Sequence, residues 1–278
     1  MIPDGETRKV FYSFLSGYDF KPELRELRKI LRKHHYAFSH IAGTKDYFCR
    51  DYMPVQVDRT EFIRFRFHPD YLLKDPEKIQ YVSDTEEILR KNRFMTSFRI
   101  RRSEIILDGG NVIRSKKRVI VTDKVCSDNG LSKEEAKREL EDLFGVRVMI
   151  IPRYPGEETG HADGIIRFIR DDTVLTIALE DEDPDWKNEL LNELAKEDLH
   201  VISLPATRSP GTDWRYINYL HVGNLVIVPR FENESDKIIL PFLENLFNSY
   251  GIRMETLYAE NIAGHGGVLN CFTWNILE

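Results

Sequence analysis

Three cysteines in 278 residues, Cys49, Cys126 and Cys271, are too few and too irregularly spaced for a disulfide framework or a zinc site. Any cysteine with a special role here is therefore a free thiol. No run of about 18 apolar residues occurs, which excludes a membrane-spanning helix and any membrane partner that would need one. The opening stretch Met1-Ile2-Pro3-Asp4-Gly5-Glu6 carries acids and no apolar core, so no signal peptide is expected and a cytoplasmic location is. Basic excess is missing too: 40 Lys and Arg stand against 46 Asp and Glu, a formal charge of −6. That balance argues against a nucleic-acid surface and suits a site that attracts cations.

What is present is a 41% hydrophobic content, enough for a substantial core and expected to form one domain over residues 1–278. It is organised as a repeat. Five amphipathic helix candidates begin near Pro22, Asp84, Ser132, Asp183 and Asp236. From Pro22 to Lys33 the apolar Leu24, Leu27, Ile30 and Leu31 recur at intervals of 3 and 4. Asp84-Thr85-Glu86-Glu87 and Ser132-Lys133-Glu134-Glu135 read as capping boxes, and Asp183-Pro184 as an N-cap followed by proline at the first helical position. The fifth helix should run from about Ile238 to Phe247, with Pro241 confined to its first turn.

After each helix comes a short apolar strand, at 36–41, 103–107, 146–151, 200–204 and 252–258, then a polar loop, then a hairpin. The hairpins pair 53–57 with 62–67, 112–113 with 119–122, 165–169 with 174–178, and 217–220 with 225–228. The fifth lacks a partner at the C-terminus: residues 271–274 supply one strand, and 10–15 near the N-terminus can supply the other. The predicted fold is α/β, a pseudo-symmetric ring of five strand–helix modules closed by the N-terminal strand, which removes two exposed edges.

The loop before each hairpin lies at the same end of its module. Those loops carry Asp51, Asp108, His161 with Asp163, Asn218 and Cys271, at intervals of fifty-odd residues. His161 and Asp163, two apart and opening the strand-like run 165–169, should face the same way. A ring would gather all six around one hollow. A cysteine and a histidine converging there point to nucleophilic catalysis. An ordinary thiol has a pKa near 8.5, so only about 3% is thiolate at pH 7, and neighbouring carboxylates would lower that fraction. The set suits a substrate that brings its own positive charge. A guanidinium is planar, permanently cationic and offers five N–H donors that two carboxylates can grip. His161 would protonate the departing nitrogen and then activate water to cleave an amidino-thioether, releasing a ureido compound and ammonia. No metal or organic cofactor is required.

Five segments, Arg50-Asp51, Asp108-Gly109-Gly110-Asn111, Gly160-His161-Ala162-Asp163, Tyr216-Ile217-Asn218-Tyr219 and Gly264 to Thr273, follow in that order over nearly the whole chain. In these segments the sequence resembles the guanidine-modifying enzymes of the pentein fold, a five-bladed α/β propeller. The resemblance is closest to agmatine deiminase and the bacterial peptidylarginine-deiminase-type family. It implies Cys271 as nucleophile, His161 as general acid and base, and Asp51 and Asp163 as the guanidinium grips. Asp108 falls where the family usually has a glutamate that orients the histidine, and is one methylene shorter. Agmatine-specific members commonly carry His before the nucleophile and Gly-Pro after Arg-Asp, whereas this chain has Asn270 and Tyr52-Met53-Pro54. Deimination is thus implied more firmly than agmatine as the substrate.

Asn218, Gly267 and Trp214 are expected to contact the substrate. The loop from Arg208 to Trp214, with Ser209-Pro210-Gly211, is expected to act as a lid. Arg208 or Arg215 would suit an α-carboxylate. The expected partner is a small cationic guanidino compound, and a homo-oligomer is compatible with the sequence. Two rivals stand beside the deiminase: an amidinotransferase, in which an amine resolves the intermediate, and a non-catalytic pentein binding protein.

Overall fold

Helix starts in this chain follow their caps. Ser132 accepts a hydrogen bond from Glu135 N while the Glu135 carboxylate accepts from Ser132 N, a complete capping box for Lys133–Phe144. Asp84 caps Thr85–Lys91 by accepting from Glu86 N and Glu87 N, but Glu87 pairs with Lys91 instead of turning back, so the expected box is a simple cap. Asp183 caps Pro184–Ala195, with Pro184 at the first position. With Lys21–Lys33 and Asp236–Ser249 these are the helices α1 (Lys21–Lys33), α2 (Thr85–Lys91), α3 (Lys133–Phe144), α4 (Pro184–Ala195) and α5 (Asp236–Ser249). α5 starts earlier than its apolar pattern suggests. Pro241 therefore lies in the second turn, where it leaves Lys237 O without its helical donor. The buried stripe Ile239, Leu243 and Phe247 holds the helix in place regardless.

The structure, a computed structural model, describes residues 1–207 and 211–278. Among them the strands pair into five three-stranded sheets of one plan. A central strand runs antiparallel to the strand before it and parallel to the strand that follows the helix. The first sheet in sequence is β3 (Val55–Gln56), β4 (Glu61–Arg66) and β5 (Arg99–Ile106). Next come β6 (Ile113–Arg114), β7 (Arg118–Thr122) and β8 (Arg147–Ile151), then β9 (Ile166–Arg170), β10 (Thr173–Thr176) and β11 (His200–Ser203). The fourth holds β12 (Leu220–Val222), β13 (Leu225–Arg230) and β14 (Arg253–Tyr258).

The remaining sheet joins the two ends of the chain: β15 (Thr273–Ile276) runs antiparallel to β1 (Lys9–Ser13), with Phe11 opposite Trp274, and β1 runs parallel to β2 (Ala37–Ile41). The pairing of terminal strands read from the sequence is present, but β15 starts at Thr273. Cys271 precedes it on a helical turn. Central strands such as Val119-Ile120-Val121 are fully buried on both faces. Among the described residues no helix is long and apolar enough to cross a membrane.

One polar cluster sits inside this apolar frame. Asp4 Oδ1 accepts from Arg114 Nη2 at 2.8 Å and Oδ2 accepts from Arg167 Nη2 at 3.0 Å. Asn275 Nδ2 reaches Thr7 Oγ1 and His221 O, and Asn275 Oδ1 accepts from Arg50 Nη2 at 2.5 Å. Arg114, Arg167, His221 and Asn275 lie on β6, β9, β12 and β15, so four sheets contribute to one buried hub. Burial alone would raise the Asp4 carboxyl, but Arg114, Arg50 and Arg167 outweigh it and hold that group far below the usual carboxylate range. His221 is pushed down to about 4, chiefly because burial disfavours its charge.

Candidate active site

Between the strand after a helix and the hairpin that follows, each module makes one short helical turn: Cys49–Tyr52, Gly109–Asn111, Ala162–Gly164, Trp214–Ile217 and Leu269–Phe272. The polar residues read from the sequence sit on these turns or at their ends. Asp51, Asp163 and Cys271 lie within them, Asp108 and His161 are N-caps, and Asn218 is a C-cap. This corrects the expectation of strand alternation for His161 and Asp163, because β9 begins only at Ile166. Tertiary hydrogen bonds shape the turn instead: Asn111 Oδ1 accepts from Thr122 N at 2.9 Å and Ala162 N at 3.2 Å, and Thr122 Oγ1 donates to Gly160 O.

The turns surround a cavity of about 840 Å³ lined by Asp51, His161, Asp163, Asn218, Gly267 and Cys271, among others. Cys271 Sγ donates to Asp163 Oδ2 at 3.2 Å and accepts from Asn218 Nδ2 at 3.1 Å. Asn218 Oδ1 in turn accepts from the backbone N–H groups of Val268, Asn270 and Cys271, so one side chain fixes the loop that carries the thiol. Asn270 Nδ2 donates to Asp163 Oδ2 at 2.7 Å. His161 Nε2 donates to Asp108 Oδ2 at 3.0 Å, and its Nδ1 stands 3.6 Å from Asp51 Oδ1, which also accepts from Gly110 N. The short carboxylate of Asp108 thus reaches the histidine with one oxygen. Its other oxygen, Oδ1, is buried without a hydrogen-bond partner among the described residues.

Two glycines make this spacing possible. A Cβ on Gly267 would stand 2.6 Å from the Phe48 ring and 3.0 Å from Cys271 Cβ. On Gly110 it would stand 2.5 Å from Asp51 Oδ1 and 2.7 Å from His161 Nδ1. Gly110→Ala should therefore separate that pair, lowering turnover by about 100-fold or more while costing roughly 1–3 kcal/mol of stability, the usual range for overpacking. Wild-type rates from the purified variant would contradict this account of the pair.

Burial works against a charged imidazole at His161, but Asp51, Asp108 and Asp163 outweigh it and raise its pKa to about 10. Asp51 is raised as well, first by burial and then by Asp108 and Asp163, against the pull of His161. Burial, followed by Asp163 and Asp51, pushes the Cys271 thiol well above its ordinary value. Without a bound cation these shifts leave His161 charged and the Cys271 thiol protonated in the same cavity.

Several expectations need correction. Arg50, next to Asp51 in the sequence, is buried, with Nε donating to Asn270 O and Nη2 to Asn275 Oδ1. Trp214 lines the cavity, whereas Arg215 turns to Glu260 at 3.7 Å, packs over the Phe231 ring and is not among the lining residues. Arg208, Ser209 and Pro210, which carried the rest of the lid expectation, lie outside the described residues. Cys49 is fully buried with Sγ on Phe272 O, a packing role, and His265 sits at the exposed rim. Sequence reasoning missed the aromatic walls Phe48, Tyr71 and Tyr154, and the acids Asp46 and Asp213. Tyr71 sets its ring edge against His161 at 5.9 Å, on a segment anchored by Lys124 to Asp70.

Fold and cavity together define an α/β protein of five small sheets with thiol, imidazole and carboxylates at a common hollow. The chain belongs to the family of Porphyromonas-type peptidyl-arginine deiminases, whose model matches residues 20–276. A Mycoplasma capricolum protein with the provisional name agmatine deiminase is 24% identical over 227 residues, covering 68% of this chain and 62% of that one. The chain spans less than two thirds of the length of the curated relatives it matches. The solved agmatine deiminase of C. jejuni superposes with a TM-score of 0.74 at 18% identity, over 100% of this chain and 95% of that one. The Enterococcus faecalis agmatine deiminase gives 0.72 at 17% identity, over 99% and 94%.

Proposed function

We propose that this chain is a guanidine deiminase, a single-domain, five-bladed α/β propeller closed by the β1–β15 pair, acting on agmatine or a related arginine derivative. The observation that carries the reading is the bonding of Cys271 to both Asp163 and Asn218 in the same cavity as His161 held by Asp108. A bound guanidinium would share its N–H donors between Asp51 and Asp163, displacing the thiol from Asp163 and offsetting the carboxylate charge that keeps sulfur protonated.

The sulfur attacks the central guanidinium carbon as a thiolate. The departing amino group takes a proton from the imidazolium and leaves as ammonia, forming the amidino-thioether, and the proton released by the thiol passes to solvent, where it converts that ammonia to ammonium. His161, now neutral, takes a proton from water as the water oxygen adds to the same carbon. The C–S bond then breaks, giving the ureido product and restoring the thiol. Asp108 would orient the imidazole through both steps. Six acids, Asp46, Asp51, Glu157, Glu158, Asp163 and Asp213, line the cavity against two lysines, Lys45 and Lys78, and no described lining residue is an arginine, a balance that favours an amine-tailed guanidine over free arginine.

Incubation with agmatine, arginine and a peptidyl-arginine, with ammonia and ureido product measured together, tests the reading. Equal amounts of both from agmatine are expected. Amidino transfer to an added amine without ammonia would establish the amidinotransferase instead, and no product from any substrate would leave the binding protein.

A further inference from the structure

Guanidinium recognition uses only part of an 840 Å³ cavity. Its wall continues past Asn218 along the turn Trp214–Ile217 to Asp213, the N-cap at the opposite end. Asp213 is only 6% exposed and lines the cavity next to Trp214, with Tyr154 also in the wall. Its Oδ2 accepts from Ala178 N at 2.6 Å, and among the described residues no ion pair reaches it. Burial raises its pKa, as expected for a carboxylate lacking a cation. Glu182, which accepts from Tyr154 Oη at 2.8 Å, adds a second acid close by. Of the other lining acids without an ion pair among the described residues, Asp46 belongs to the Asp51 side, where its charge acts on Asp51, and Glu157 accepts from Thr159 Oγ1 and Gly160 N beside Glu158 on the exposed loop before His161, so Asp213 is the buried one at the Trp214 end.

Asn218 touches Cys271 Sγ, so it marks the reacting end. Five residues of helical rise separate Asp213 from Asn218, about 7.5 Å along the axis, which is comparable to the extended chain between the guanidino carbon and the terminal nitrogen of a four-carbon guanidinoalkylamine. We propose that Asp213, with the faces of Trp214 and Tyr154, forms a subsite for a second cation on the substrate, and so selects amine-tailed guanidines over neutral-tailed or acid-tailed ones. This deepens the deiminase reading and rests on it.

Three probes differing only at the tail test the proposal: agmatine, butylguanidine and 4-guanidinobutanoate. Binding is measured by calorimetry in a Cys271→Ala chain, with and without Asp213→Asn, and turnover in chains that keep Cys271. Asparagine keeps an oxygen for Ala178 N–H and removes only the charge. Agmatine should bind at least about tenfold more weakly in the Asp213→Asn chain, the effect of losing one charge-assisted contact. Butylguanidine should stay within about twofold and 4-guanidinobutanoate should improve, with kcat/KM ratios following. Equal weakening of all three probes would show a merely structural role and overturn the subsite, as would no change in any. Failure of all three to bind Cys271→Ala would instead overturn the deiminase reading, and this inference with it.

Discussion

Cys271→Ala should abolish ureido product formation, a loss of about 10⁴-fold or more for removal of a covalent nucleophile, while agmatine still binds. The argument does not rest on the residue type alone. Cys271 is buried, its thiol donates to Asp163, and Asn218 holds both the sulfur and the loop around it. These contacts also predict an unusual reactivity. Burial and then the carboxylates of Asp163 and Asp51 raise the thiol pKa, so the empty protein keeps sulfur protonated at neutral pH. Peptide-resolved alkylation with iodoacetamide should find Cys271 slow at pH 7 and faster as the pH rises. Asp163→Asn should make the thiol more reactive toward iodoacetamide and the protein less active toward guanidines, because one carboxylate both suppresses the thiolate and grips the substrate. Rapid alkylation of Cys271 at pH 7 in the unliganded protein, unchanged by Asp163→Asn, would remove the basis for substrate-assisted activation.

Local signals carried the modular plan. Ser132 with Glu135, Asp84 and Asp183-Pro184 announce helix starts because a cap acts within four residues. Hairpins and post-helix strands were legible from short apolar runs between turn residues. The site was legible for a different reason: equivalent loops in a repeated module fall at one end, so spacing alone collected Asp51, Asp108, His161, Asn218 and Cys271. Conformation at those loops was not legible, because three or four residues fit a strand end or a helical turn equally well. The choice lies with partners far along the chain, such as Asn111 with Ala162 N. Direction was hidden too. Arg215 and Asp213 both flank Trp214, yet one turns to Glu260 and the other lines the cavity. The hub was invisible for the converse reason: nothing local distinguishes Arg114, Arg167 and His221 from other polar residues in short strands, and only assembly of the sheets shows them buried around Asp4.

Asp4→Ala should destabilise the fold by about 3–5 kcal/mol, the cost of leaving buried charges unpaired, and lower the melting temperature by roughly 10 °C for a chain of this size. Arg114 and Arg167 have side chains only 4% and 3% exposed, and Asp4 is the acid that each one pairs with. Asp4→Asn, which retains acceptor and donor atoms but no charge, should fall between wild type and alanine. The pH dependence has a definite sign. The folded carboxyl lies below its unfolded value of about 3.9, so its contribution is present above that pH and is lost as the pH falls through the folded pKa. Wild type and Asp4→Ala should therefore differ by a nearly constant amount from pH 8 to 6, and converge only in strong acid. A melting difference under 2 °C at pH 7, or one that closes between pH 8 and 6, would show that the arginines find other partners. The consequence extends to the chemistry, because Arg50 shares Asn275 with this hub and donates through Nε to Asn270 O, one residue before the thiol. Loosening Asp4 should thus lower turnover below what the unfolded fraction explains, a difference that kcat measured well below the melting transition would reveal.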